Sequence, residues 1–289
     1  MNPSPLVDTA QLESRLGDPD WIVVDCRHDL ANPGSGRAAY EESHIPGARF
    51  LHLDDDLSGP KNGTNGRHPL PDAGILSGTL ARAGIGPSSR VIAYDAQGGM
   101  CASRLWWLMR WIGHDRASVL DGGWKAWVAE GRPVTAELPV IRPGRIEPAI
   151  QPVAVPAAGI LAGLGHLHLL DARTAERYRG INETMDPVGG RIPGAMNRFF
   201  MSNLGPDGRF KPAAVLRDEF TALLGTVPPH ALVHYCGSGV SACHNLFAME
   251  IAGLSGGRLY PGSWSEWCAD PARPVGRGEP APGEVTRLK

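Results

Sequence analysis

The chain has 289 residues, 42% of them hydrophobic, and 28 Lys and Arg against 30 Asp and Glu give a formal net charge of −2. This length buries a large core and favours two domains over one, while the balanced charge supplies no drive towards nucleic acid or an anionic membrane. The stretch Met1 to Asp8 lacks the basic start and apolar run of a signal peptide, and no run of about 18 apolar residues occurs anywhere, so a soluble cytoplasmic protein is expected.

Strand-like and helix-like segments alternate through the first half: Trp21–Asp25, Ala38–Ser43, Arg49–Leu53, Leu76–Ala83, Arg90–Tyr94, a helix over about 102–112, Ser118–Leu120 and a helix over about 124–129. Such βα alternation predicts an α/β fold, with a parallel sheet covered by helices on both faces. The second half repeats the first. Leu169–Arg173 answers Val23–Arg27, Arg191–Ala195 answers His44–Ala48, and Leu259–Trp267 answers Val119–Trp127. Three matches in one order indicate a duplicated domain. The seam falls among Pro133, Pro139, Pro143, Pro148, Pro152 and Pro156, which favour an extended linker. The expected division is an N-terminal domain over 1–135, a linker over 136–156 and a C-terminal domain over 157–289.

Cys26, Cys101, Cys236, Cys243 and Cys268 are an odd, scattered set without the CxxC spacing of a zinc site, and read as free thiols in a reducing compartment. Cys26 and Cys268 are expected to be buried small hydrophobes. Cys236 differs, because it follows an apolar strand, Leu232–Tyr235, and precedes an amphipathic helix beginning at about Ala242. Gly237 and Gly239 let the intervening turn curl so that amides point inward, and a thiol beside such amides and a helix N-terminus is favoured as a nucleophilic thiolate. Cys243, one helical turn on, reads as a packed residue rather than a resolving thiol. The repeat sets Asp95 at the position of Cys236, with one extra residue in the first loop. A carboxylate cannot carry transferable sulfur, so one active site per chain is expected.

These residues resemble a family. The strand, cysteine loop and helix, the Ile-Pro-Gly-Ala segments at Ile45 and Ile192, and Gly262-Ser-Trp-Ser-Glu-Trp267 are similar to the tandem rhodanese-domain sulfurtransferases, from about Leu6 to Val275. The resemblance implies two tandem rhodanese-like domains, the second catalytic. Its loop, Cys236-Gly237-Ser238-Gly239-Val240-Ser241-Ala242, is closest to the 3-mercaptopyruvate branch, which has Thr where this chain has Ser241; the thiosulfate-using branch carries Arg and Lys after the cysteine. Residue by residue, the resemblance makes Cys236 the sulfur carrier, the loop Gly237 to Ala242 the cradle of a persulfide, and Ser238, His68 and Asp54 a proton-handling set. Since His68 and Asp54 come from the first half, it also implies a substrate cleft between the domains. It makes Arg177 a carboxylate-binding residue. The family's second such arginine has no counterpart in Glu183–Gly190, and Arg179 or Arg191 is the expected substitute.

The implied reaction is ping-pong transfer of sulfane sulfur from 3-mercaptopyruvate to a thiol, cyanide or thioredoxin-like acceptor, releasing pyruvate, with no metal or organic cofactor. The alternatives are a thiosulfate:cyanide sulfurtransferase and a non-turnover persulfide carrier for one protein partner. A phosphatase is disfavoured, because no Arg follows Ala242 to hold phosphate.

Overall fold

The computed structural model describes residues 4–280. Residues 1–3 and 281–289, which include the start of the stretch read for a signal peptide and the end of the expected C-terminal domain, lie outside the described residues. Two packing units are present. The first comprises 4–59, 71–151 and 204–210, and the second comprises 60–70, 152–203 and 211–280. Two short segments are therefore exchanged with respect to chain order, which no contiguous boundary reproduces.

The first unit runs β1 (Leu6–Val7), α1 (Thr9–Glu13), β2 (Trp21–Asp25), α2 (Ser35–Glu42), β3 (Arg49–Phe50), α3 (Ala73–Arg82), β4 (Arg90–Tyr94), α4 (Met100–Trp111), β5 (Ala117–Leu120) and α5 (Gly123–Ala129). Its strands are all parallel in the order β1-β5-β4-β2-β3. The apolar runs Ile22–Val24 and Val91–Ala93 are buried throughout, as central parallel strands covered on both faces must be. Strand β1 and helix α1 are too short for periodicity to reveal, although a capping box between Asp8 and Gln11 starts α1.

The second unit runs α6 (Ala157–Ala162), β6 (His168–Asp171), α7 (Ala175–Arg179), β7 (Met196–Asn197), a 3₁₀ turn over Phe200–Asn203, α8 (Ala213–Leu224), β8 (Leu232–Tyr235), α9 (Ser241–Ile251), β9 (Arg258–Leu259) and α10 (Ser263–Trp267). The order is β7-β6-β8-β9, again parallel, and Ala154 bridges Leu259 where β1 lies against β5 in the first unit. Helix α9 departs from the amphipathic expectation: it is buried continuously from Ala242 to Met249 because it packs between β8 and α8.

The repeated motifs build the same corner twice. Asp25 binds the Arg27 Nε and accepts from the Tyr94 hydroxyl at 2.6 Å, and the Arg27 guanidinium lies 4.3 Å over the Trp124 ring. Asp171 likewise binds Arg173, which lies 4.7 Å over Trp264. The Tyr94 and Tyr235 hydroxyls accept from the amides of Ile45 and Ile192, the first residues of the two apolar turns. These motifs are therefore sheet-end ion pairs sealed by indole rings. The proline-rich segment is strapped down: Ala149 N donates to Ile112 O and Gln151 N to Trp111 O, both at 2.8 Å. Among the described residues no helix is long and apolar enough to cross a membrane.

Candidate active site

Cys236 stands one residue past β8 and is buried. Gly239 N donates to Cys236 Sγ at 3.1 Å. Gly239 has φ +78°, and a Cβ there would sit 2.2 Å from Pro261 O, so only glycine admits this curl. The far side of the turn is tied to the start of α10. Cys236 N donates to Ser263 Oγ at 3.1 Å, while Trp264 N and Ser265 N donate to the carbonyls of Cys236 and Gly237 at 2.9 Å. Ser263 holds φ +54°, an unfavourable conformation for a side chain with a Cβ, and its hydroxyl bonds account for its use here.

The first unit repeats this turn around Asp95. Helix α4 begins six positions after Tyr94, and α9 begins six positions after Tyr235, so the extra loop residue expected from the sequence is absent. Equating Ala102 with Ala242 sets the repeat one residue out of step. Gly98, with φ +73°, is the counterpart of Gly239, and Trp124 N donates to Asp95 O as Trp264 N does to Cys236 O. The Asp95 carboxylate accepts four amides, from Gln97, Gly99, Cys101 and Ala102, at 2.7 to 2.9 Å. Burial raises its pKa, against the lowering effect of those four bonds.

His68 Nδ1 and Ser238 Oγ are hydrogen-bonded at 2.7 Å, and both residues are buried. The segment 60–70 that carries His68 belongs to the second unit, so this pair is internal to that unit rather than contributed from two. Ser265 fixes the arrangement: its amide holds Gly237 O and its Oγ accepts from Arg67 N at 3.0 Å. Asp54 lies in the first unit, its Oδ2 3.7 Å from His28 Nε2. His28, His52 and Asp54 cluster closely enough to hold a metal ion. His52, however, uses one ring nitrogen on Pro33 O and the other on the amides of Asp54 and Asp55, so it serves as a cap on that turn.

The arginines separate clearly. A Cβ built on Gly237 would lie 2.7 Å from Arg67 Nη2 and 3.6 Å from both Arg177 Nη atoms, so two guanidiniums abut the cysteine loop. Arg177 binds Glu183 through Nε at 2.9 Å and Asp186 through Nη2 at 3.0 Å, and Arg67 Nη1 pairs with the same Asp186. Burial raises Glu183, but its bonds and charge contacts with Arg177 and Arg173 outweigh this and lower its pKa. Arg179 pairs with Glu279 at 2.7 Å and lines a cavity of about 360 Å³ with Tyr178, Met196 and Leu223. Arg191 is buried over the Tyr178 ring, with Nη1 donating to Gly278 O at 2.8 Å. The loop thus meets Arg67 and Arg177, while Arg179 and Arg191 have structural partners elsewhere in the unit. Arg67, Ser265 and Asp186 were not read from the sequence; the adjacency of Arg67 to His68 was the available signal for the first.

The rhodanese-like domain family matches residues 8–130 and 159–270. A probable 3-mercaptopyruvate sulfurtransferase of Pseudomonas aeruginosa is 48% identical over 286 residues, covering 96% of this chain and 100% of that protein. The thiosulfate sulfurtransferase of Mus musculus is 33% identical over 282 residues, covering 92% and 91%. The solved structure of 3-mercaptopyruvate sulfurtransferase from Leishmania major superposes with a TM-score of 0.82 at 28% identity, covering 91% of this chain and 73% of that one. With the family matched in both halves of the chain and full-length relatives on both branches, this chain belongs to the rhodanese-like domain family and is a sulfurtransferase.

Proposed function

We propose that the chain moves sulfane sulfur from 3-mercaptopyruvate through a persulfide on Cys236 to a thiol, cyanide or thioredoxin-like acceptor. The Cys236 thiolate attacks the donor sulfur and forms the S–S bond. The C–S bond breaks, its electron pair leaves as the pyruvate enolate, and a proton on carbon completes pyruvate. Ser238, hydrogen-bonded to His68, supplies that proton, with Asp54 the third member implied by the family. The acceptor then attacks the outer sulfur and returns Cys236 as thiolate. Arg177 and Arg67 seat the donor carboxylate.

The observation that carries this reading is the match between the two loops. Asp95 Oδ lies two bonds beyond Cβ, as the outer sulfur of a cysteine persulfide does. The amide positions that serve Asp95 correspond to those of Ser238, Val240, Ala242 and Cys243, which supports a loop shaped for a two-atom anionic extension. The five cysteines, all buried as thiols, support a reducing, cytoplasmic setting.

The two guanidiniums beside Gly237 are the observation behind the second reading, thiosulfate, since they bring to the loop the side-chain N–H donors that its own sequence lacks. The test is pyruvate release together with intact mass. Incubation with donor is expected to add about 32 Da, one sulfur, to the protein, and Cys236→Ser to lose both turnover and adduct. An adduct that persists in Cys236→Ser sinks the assignment. Release of one equivalent of pyruvate without further turnover in the presence of acceptor identifies a carrier instead.

A further inference from the structure

Asp186 occupies the stretch in which the family's second arginine is missing, and its side chain is only 2% exposed. Its two oxygens divide between two arginines, Oδ1 on Arg67 Nη1 and Oδ2 on Arg177 Nη2. Arg67 also donates to Met185 O at 3.4 Å, and Glu183 holds Arg177 from the other side. Both guanidiniums keep a face towards solvent, with side chains 27% and 19% exposed, beside Gly237.

Two consequences follow from this geometry. Asp186 fixes the spacing of the two forks, which otherwise repel each other. Together with Glu183, it also brings the formal charge of this group, Arg67, Arg177, Asp186 and Glu183, to zero. An incoming anion then meets directed N–H donors without a net positive field. One carboxylate is satisfied by the donors, but a dianion needs the field as well.

We infer that Asp186 is the specificity-determining residue of the donor site, clamping Arg67 and Arg177 into a seat that selects monoanionic α-keto thiols over dianionic donors such as thiosulfate. The inference rests on the proposed reading of Cys236 as the sulfur acceptor. Asp186→Asn removes one negative charge and leaves a single accepting oxygen, so it frees one of the two guanidiniums, and is expected to raise kcat/KM for thiosulfate relative to 3-mercaptopyruvate by about tenfold. Asp186→Glu, which retains the charge, is expected to leave that ratio within about twofold of the unsubstituted protein. A ratio in Asp186→Asn that stays within about twofold of the unsubstituted protein overturns the inference. Should Asp186→Asn fail to fold, calorimetric titration of the unsubstituted protein with pyruvate and with sulfate tests the same seat without turnover. Tighter binding of pyruvate supports the inference; sulfate binding as tightly or more tightly, or no binding of either, overturns it. Failure to release pyruvate from 3-mercaptopyruvate sinks the proposed function separately, since the titration does not depend on it.

Discussion

Asp95 and Cys236 sit at the same point of the same turn, each one residue past a buried strand ending in tyrosine and six positions ahead of the second residue of the following helix. In the first unit the turn closes on itself, because the Asp95 carboxylate reaches the surrounding amides and takes four of them. In the second unit the side chain is one atom shorter, and Gly239 N donates to its Sγ. The backbone cradle is thus common to both units, while its occupant differs: a carboxylate that takes four amides in the first, a thiol in the second. The same contrast recurs behind the turn. Gly123, at φ +54°, lets its backbone pass close to Asp95 O, whereas its counterpart Ser263 accepts the same conformation with a hydroxyl that binds Cys236 N.

The sharpest way to break this comparison is to make the second turn a copy of the first. Cys236→Asp is expected to abolish sulfur transfer, by about 10⁴-fold or more, as loss of a nucleophile does. Its melting temperature should nevertheless exceed that of Cys236→Ala, because the new carboxylate takes up loop amides. Melting below Cys236→Ala would show that the two cradles differ. Ser238→Ala removes the partner of His68 Nδ1 and is expected to lower kcat by about 10²–10³-fold, with the persulfide adduct still forming slowly in intact mass. Asp95→Ala leaves four amides, three of them buried, without their acceptor; about 3 kcal/mol of stability should be lost in urea unfolding, with kcat per folded molecule unchanged.

The smallest effect concerns the strands themselves. β8 carries His234 where β4 carries Ala93, and burial lowers the His234 pKa to about 3. Neither ring nitrogen has a hydrogen-bond partner. A histidine held neutral in the folded state takes up its proton only on unfolding, so its contribution to stability is full above its unfolded value of 6.5 and declines as pH falls from 6.5 towards 3. Between about pH 7.5 and pH 5 the second unit should lose about 2 kcal/mol through this residue. Unfolding titrations at the two pH values check it, and His234→Leu should shrink the difference. An equal difference in His234→Leu places the acid sensitivity elsewhere.

Much of this organisation was legible along the chain. The apolar runs at Ile22–Val24, Val91–Ala93 and Leu232–Tyr235 report buried parallel strands directly, because burial on both faces removes polar alternation. The Asp-x-Arg and Trp-x-x-Trp pairs were visible as repeats, though their role in sealing the sheet ends was not, since Arg173 reaches Trp264 across many intervening residues. Cys236, Ser238 and Arg177 could be named from local pattern and resemblance. Arg67 had only its adjacency to His68 to suggest it and Asp186 had no signal, because a surface-type residue declares its use through what it faces.

The sequence by itself determined the duplicated α/β architecture and the placement of a cysteine in the second loop where the first carries an aspartate, both of which depend on periodicity, turn chemistry and residue identity within short stretches. Tertiary structure alone decided that segment 60–70 packs with the second unit and brings His68 to Ser238, that the two loops share one length, and that Arg67 joins Arg177 at the cysteine loop under one aspartate. The physical reason is separation. Strand burial and loop curl are set by neighbours a few residues away, whereas a hydrogen bond spanning 170 positions, or one carboxylate shared by arginines 110 residues apart, exists only once the chain has closed around it.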